Sequence, residues 1–233
     1  MEHKTCNNIG ITENGDICYD FSWLEKLQEV NILITKELTP RLIEKLIENK
    51  NKIILHITCT GNGGTELEPN VPFPEKLLFQ TKNLIKNGFP KEQLVLRIDP
   101  IILNDKYFLN SLIPLRIFKG LIKRVRFSFL NMFSFFQGKI FEITENIEKS
   151  FFMELFINES KDFFELETCS EFKNGWILNN SCVSEKDLKI LNKTIVLIRG
   201  INNRKGCQKP MNIIELLNKN NCRHNCAYCF LKK

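Results

Sequence analysis

An α/β fold, a partial (β/α)6 barrel, is what this sequence predicts, and three observations carry the prediction. Short β-like runs alternate with amphipathic helical stretches, the order that builds a parallel sheet from βα units. The chain has 233 residues and is 43% hydrophobic, enough to bury a sizeable core. Its unusual residues follow the strands rather than precede them, and βα barrels gather their functional groups at the carboxyl ends of strands.

The elements can be justified in order. Strand 31–35 (NILIT) leads into helix 39–50 (TPRLIEKLIENK), with Thr39 as N-cap and Pro40 at the first helical position, where a missing N–H is harmless. Strand 52–60 (KIILHITCT) runs into the glycine-rich TGNGGTE, and helix 74–88 (PEKLLFQTKNLIKNG) ends at Gly88. Strand 94–99 (LVLRID) precedes helix 105–121, strand 124–130 (RVRFSFL) precedes helix 144–158, and strand 163–169 (FFELETC) precedes helix 184–191. TIVLIRG, 194–200, is the sixth strand. With no internal repeat and no low-complexity linker, the chain divides into a barrel over 1–201 and a cysteine-rich segment of the same domain over 202–233.

Composition narrows the function classes. The net charge of +6 is modest and spread over Lys-rich helix faces, so it does not by itself imply nucleic acid. In the densest basic run, LIKRVRF, the residues Lys123, Arg124 and Arg126 read either as a solvated rim or as a contact for a nucleic-acid partner. Nine cysteines, an odd number, read as buried small hydrophobes, metal ligands or reactive thiols rather than as a disulfide framework. The polar start, MEHKTCNNIGITENG, and the lack of any apolar run of membrane-spanning length lead us to expect a cytoplasmic protein with no membrane partner.

Three of the cysteines crowd the end of the chain in NNCRHNCAYCFLKK. Cys222, Cys226 and Cys229 form C-x3-C-x2-C, with Tyr228 directly before the last. Three thiolates at this spacing can ligate three irons of a 4Fe-4S cubane and leave the fourth iron open to a small molecule. The alternative is structural zinc, closed by Cys207 or His224 as fourth ligand, in a non-catalytic module that binds nucleic acid or protein. Zinc knobs pair two C-x2-C arms, and only one arm here has that spacing.

The motif with its aromatic resembles that of the radical S-adenosylmethionine superfamily, whose usual scaffold is a six-strand βα barrel. The resemblance implies a 4Fe-4S cluster held by Cys222, Cys226 and Cys229. It also implies S-adenosylmethionine chelated at the open iron and cleaved to a 5′-deoxyadenosyl radical, with an electron donor such as flavodoxin or ferredoxin. Ordinary members carry the motif after their first strand, whereas here only FLKK follows it, so the cluster-binding loop is permuted to the C-terminus. In this the chain is similar to an uncharacterised bacterial domain-of-unknown-function family with a radical-SAM-like cysteine cluster at its C-terminus. The segments ITCTGNGGTELEPNVP, LVLRIDPIILNDKY, RVRFSFLNMF, ELETCSE and NRKGCQKP look like that family's, in the same order, from about Asn31 to the end. The family opens with an Arg-Arg-Thr-Asp segment that CNNIGITENGDICYDFSWL lacks.

Further site residues follow from position and from this resemblance. Gly63, Gly64 and Glu66 resemble the Gly-Gly-Glu element that grips the methionine amino group, although a tight βα turn produces the same pattern. Arg97 and Asp99 alternate on one strand face, either as a structural ion pair or as ligands for the methionine carboxylate and for a ribose or substrate hydroxyl. Cys169 and Glu171, at the end of strand 163–169, are the catalytic candidates. His56, between Leu55 and Ile57, reads as a core histidine. The substrate is undetermined: the basic strand start suggests a nucleobase, and a small metabolite or a peptide fits equally.

Overall fold

The computed structural model describes residues 8–103, 105–130, 146–168, 181–195, 212–218, 221–229 and 231. Its elements in chain order are β1 (Ile9–Ile11), β2 (Asn31–Thr35), α1 (Pro40–Glu48), β3 (Ile53–Thr58), α2 (Pro74–Lys86), β4 (Leu94–Ile101), α3 (Asp105–Phe118), β5 (Arg124–Phe129), α4 (Asn146–Ser160), β6 (Glu165–Thr168), α5 (Glu185–Ile190) and β7 (Ile213–Glu215). Seven strands form one parallel sheet in the order β6-β5-β4-β3-β2-β1-β7.

The α/β class and the central βα order match the sequence expectation; the strand count does not. Predicted strand 31–35 is the second strand in chain order and the third from one edge of the sheet, because β1 precedes it and β7 flanks β1 on the other side. Both have three residues, too few for period-two alternation to register. They hold each other in register, Ile9 opposite Ile213 and Ile11 opposite Glu215. Of predicted strand 194–200, Thr194 and Ile195 lie outside any strand, and 196–200 fall outside the described residues.

Alternation sorts the sheet into two faces. Leu33, Leu55, Ile57, Leu96, Ile98, Val125, Phe127 and Leu166 point one way, into a core with the apolar stripes of α1 to α4. The Thr39 side chain caps α1 by accepting from the Leu42 N–H, with Pro40 at the first helical position as expected. Ile11, Ile32, Ile34, Ile54 and Val95 point the other way and meet Val183, Leu188 and Leu191. Thus α5 lies on the inner face, opposite the other helices. Its start is fixed by a capping box between Ser184 and Asp187.

That inner face corrects the basic rim. Arg124 and Arg126 are each 2% exposed, because alternation turns both inward with Glu167 of β6. Glu167 accepts from Arg124 at 2.8 Å and from Arg126 Nε at 2.9 Å, and Asp187 of α5 accepts from Arg124 at 2.6 Å. Two arginines and two carboxylates close a network that also touches His56, whose Nε2 lies 3.1 Å from Arg126. Burial and the neighbouring Arg126 push the His56 pKa well below the usual range, as befits a neutral core histidine. Of the three basic residues, Lys123 alone is exposed, and it pairs with Glu165.

Candidate functional site

A cavity of about 330 Å³ opens at the carboxyl ends of the strands. Thr12 after β1, Ile34 and Lys36 around the end of β2, Thr58 of β3, and Arg97 and Asp99 of β4 supply one wall. Cys222, Cys226, Tyr228 and Cys229 supply another. Its size falls within the range of small-ligand sites, roughly 300–1,000 Å³.

The cysteine segment is docked rather than frayed. Ala227 N–H donates to the Leu67 carbonyl at 2.8 Å, Asn70 N–H to the His224 carbonyl at 3.3 Å, and the Asn70 side chain to the Arg223 carbonyl at 2.8 Å. Residues 67–70, at the end of the glycine-rich loop, therefore form the cradle. Asn225, at φ 59°, makes the left-handed turn that wraps the segment, a conformation asparagine tolerates. Cys226, Tyr228 and His224 are buried, His224 completely.

His224 is the peg. Its Nε2 lies 2.9 Å from Asp16 Oδ2 and its Nδ1 3.2 Å from the Asn70 carbonyl. Asp16 also accepts from the Thr35 hydroxyl at 2.6 Å, the Cys18 N–H at 2.9 Å and the Lys36 N–H at 2.7 Å. Burial alone would raise the Asp16 pKa; the bonds from His224, Thr35 and Cys18 outweigh it and hold the carboxyl below its ordinary value. Asp16, Cys18 and His224 bring their ligand atoms within 4.8 Å of one another, the one such trio among the described residues. With four donors already on the Asp16 carboxylate, this trio reads as a hydrogen-bonded clamp between the β1–β2 connection and the cysteine segment. Asp16 and the Asn70 carbonyl between them engage both nitrogens of His224, whose Nε2 also lies 3.8 Å from Cys18 Sγ.

A second clamp holds Tyr228. Its hydroxyl donates to Glu68, which also accepts from Lys36 Nζ at 2.6 Å and from the Thr60 hydroxyl at 2.6 Å. Lys36 Nζ lies 3.1 Å from the tyrosine oxygen. Burial would raise the Glu68 pKa, but Lys36, Thr60 and Tyr228 bring it below the usual range.

The three cysteines share the cavity wall, Cys226 buried and the other two half-buried. Burial pushes the Cys222 thiol up to about 12, against a hydrogen bond from the His224 N–H. Cys226 is pushed up to about 11, chiefly by burial, with Lys36 opposing. Without a metal Cys222 and Cys226 are thiols, and metal binding must release their protons. Three such sulfurs can hold three irons of a cubane or, with a fourth ligand, a zinc ion.

The remaining predicted residues divide. Arg97 and Asp99 project together onto the cavity, as their alternation requires, and are bonded to each other, with Asp99 also accepting from Ser128 at 2.5 Å. Gly63, Gly64 and Glu66 are not on the cavity wall. Gly63 bridges to Glu68, Gly64 takes φ 78° with a Cβ position only 2.3 Å from the Phe73 ring, and Glu66 accepts from the Tyr107 hydroxyl at 2.8 Å. These are turn and packing positions behind the cradle. Cys169, Glu171 and Cys207 lie outside the described residues. Cys59 is buried on the helix side of the sheet, its thiol raised by burial to about 12. Sequence reading missed Asp16, Lys36 and Glu68. Lys36 directly follows β2, so the strand-end rule alone would have marked it.

A family model described as Domain of unknown function (DUF1848) matches residues 17–231. The chain belongs to the DUF1848 family. The match begins before Asn31, so the segment ICYDFSWL, where the likeness faded in the sequence, is inside the DUF1848 domain. No curated protein and no solved structure matches the chain. No helix among the described residues is long and apolar enough to cross a membrane.

Proposed function

We propose that this DUF1848 protein is a radical S-adenosylmethionine enzyme, in which Cys222, Cys226 and Cys229 hold a 4Fe-4S cluster and the cavity beside them takes S-adenosylmethionine and the substrate. The observation that carries this reading is the placement of the three motif cysteines on one wall of the cavity at the carboxyl ends of a parallel sheet. The donor set fits the group: three soft sulfur ligands, half-buried or buried, on one wall of a cavity with room for a small molecule. Topology supports it too. The motif follows β7, and β7 pairs in parallel with β1, so the segment is permuted in sequence while in space it still follows an edge strand of the β-run.

When bound, the cluster would supply the electron that cleaves S-adenosylmethionine to a 5′-deoxyadenosyl radical. The chain's own residues bind and orient. Asp16 and Glu68 fix the cysteine segment through His224 and Tyr228. Arg97 offers a guanidinium to the methionine carboxylate, and Asp99 offers an acceptor to a ribose or substrate hydroxyl, each re-pairing from the other. Gly63, Gly64 and Glu66 act at one remove, by shaping the loop that cradles the cysteines. Burial of Arg124 and Arg126 removes the basic surface from which a nucleobase substrate was argued, leaving a small metabolite or peptide as the better fit to the cavity.

The test is iron and sulfide content after anaerobic purification, together with the electron paramagnetic resonance spectrum of the reduced protein with and without S-adenosylmethionine. A cluster whose spectrum responds to S-adenosylmethionine is the expected result. Stoichiometric zinc without iron would overturn the reading.

A further inference from the structure

We propose that Lys36 is a positioning residue that raises the reduction potential of the cluster, with Glu68 as the opposing charge; this rests on the cluster reading above. Lys36 lies on the wall of the cavity that the three cysteines also line. Its ammonium is fixed there by Glu68 at 2.6 Å and by the Tyr228 hydroxyl at 3.1 Å. Tyr228 stands between Cys226 and Cys229 in sequence, so the cation is tied to the ligand segment itself. Glu68 is not on that wall: it is 0% exposed and is held by Thr60 at 2.6 Å. The pair is therefore oriented, positive end toward the cavity and negative end behind it. Anchoring alone does not account for the lysine, because Tyr228 donates to Glu68 directly.

The electrostatic consequence follows from charge balance. One electron passes from the reductant to the oxidised cluster, no proton moves, no bond forms or breaks, and the cluster with its three thiolates becomes one unit more negative. A fixed, poorly hydrated cation nearby favours the more negative form, so the potential rises; a carboxylate nearby opposes it. Removing either partner should shift the potential in opposite directions. A merely mechanical role for the pair would not do so, since loosening the cysteine segment has the same sense from either side.

The experiment is a dithionite redox titration of the anaerobically purified full chain, read by electron paramagnetic resonance, with iron and sulfide counted in each sample. Lys36→Met should move the midpoint to more negative potential by at least a tenfold change in the reduction equilibrium, about 59 mV for one electron. Lys36→Arg should stay close to the unsubstituted protein, and Glu68→Gln should move the midpoint upward. If Lys36→Met fails to hold a cluster, the upward shift in Glu68→Gln against an unmoved Lys36→Arg still decides the sign. A loaded unsubstituted protein with shifts of the same sense in Lys36→Met and Glu68→Gln, or with no shift in either, overturns this inference alone. An unsubstituted protein that takes up no iron overturns it together with the cluster reading.

Discussion

Arg97 of β4 and Arg126 of β5 are partners in register on adjacent strands, and both project from the inner face of the sheet. From that shared start they diverge. Arg126 is 2% exposed and turns to Glu167 on β6 and Asp187 on α5, in a network with two carboxylates for two arginines. The Arg97 side chain is 21% exposed and leans along its own strand to Asp99, toward the cavity. The covering element makes the difference. Where α5 seals the face, charges must be matched within the protein. Where the cysteine segment leaves a cavity, an ion pair can open and accept a ligand's groups instead. Two arginines with the same alternation thus hold the fold together in one case and face the open cavity in the other.

The largest expected effect breaks the sealed half. Arg126→Met leaves Glu167 and Asp187 with one arginine between them in a site closed to water, and removal of one partner from such a set costs about 3–5 kcal/mol. Urea unfolding should show that loss as a lower midpoint with an unchanged slope. If the cysteines hold the proposed cluster, the folded fraction should carry as much iron as the unsubstituted protein. Loss of iron at full stability would reverse the assignment of the two arginines.

A smaller effect separates the cysteine segment from the sheet. Asp16→Asn keeps one acceptor oxygen but turns an NH2 toward part of the set formed by His224, Thr35 and two backbone N–H groups, and losing a hydrogen bond to a charged group costs about 1.5–3 kcal/mol. The loss should be local: faster hydrogen exchange at the amides of Ala227 and Cys229, with β3 to β5 unaffected. Uniform acceleration across the sheet would make Asp16 part of the core rather than of the clamp.

Much of this was legible beforehand, for physical reasons that can be named. Strands β2 to β6 announced themselves because each follows a turn and pairs β-branched or aromatic residues with a clear helix after it. The segments of β1 and β7 are three residues each and owe their strand state to one another, a contact separated by some 200 positions that no local pattern records. The three cysteines were readable because ligand spacing is a local property. Glu66 completes the Gly-Gly-Glu likeness in the sequence, but sequence does not reveal which side of an irregular loop faces inward; in the structure it is Glu68, bridged to Gly63, that meets Tyr228. LIKRVRF looked like a surface because its matching carboxylates, Glu167 and Asp187, are over 40 and 60 positions away.

Acid sharpens the comparison further. Burial would raise the Asp187 pKa, but Arg126 and Arg124 drive it well below its ordinary value. A carboxyl lowered on folding stabilises the native state fully above its unfolded value, about 3.9, and that contribution is lost as pH falls further toward the native one. Stability measured by urea should therefore decline below about pH 4, and Asp187→Asn, less stable throughout, should show a shallower decline. An equal slope in both proteins would place the acid sensitivity in the Asp16 and Glu68 clamps, whose carboxyls are lowered as well.

Arg97→Met carries the smallest change in stability and the most informative change in function. The pair with Asp99 is partly open to water, and pairs of that kind contribute about 0–1 kcal/mol. Urea unfolding should barely separate the variant from the unsubstituted protein. Iron content should be the same, because no cysteine or clamp residue is touched. On the proposed reading, the response of the reduced protein's paramagnetic spectrum to S-adenosylmethionine should weaken at least tenfold in the concentration required, since a guanidinium on a carboxylate is a charge-assisted, bidentate contact that methionine cannot imitate. An unchanged response would place the ligand's carboxylate elsewhere and make Arg97–Asp99 the same kind of structural pair as its neighbour. A loss of several kcal/mol would do so more strongly, because only an arginine whose charge is needed by the fold itself costs that much to remove.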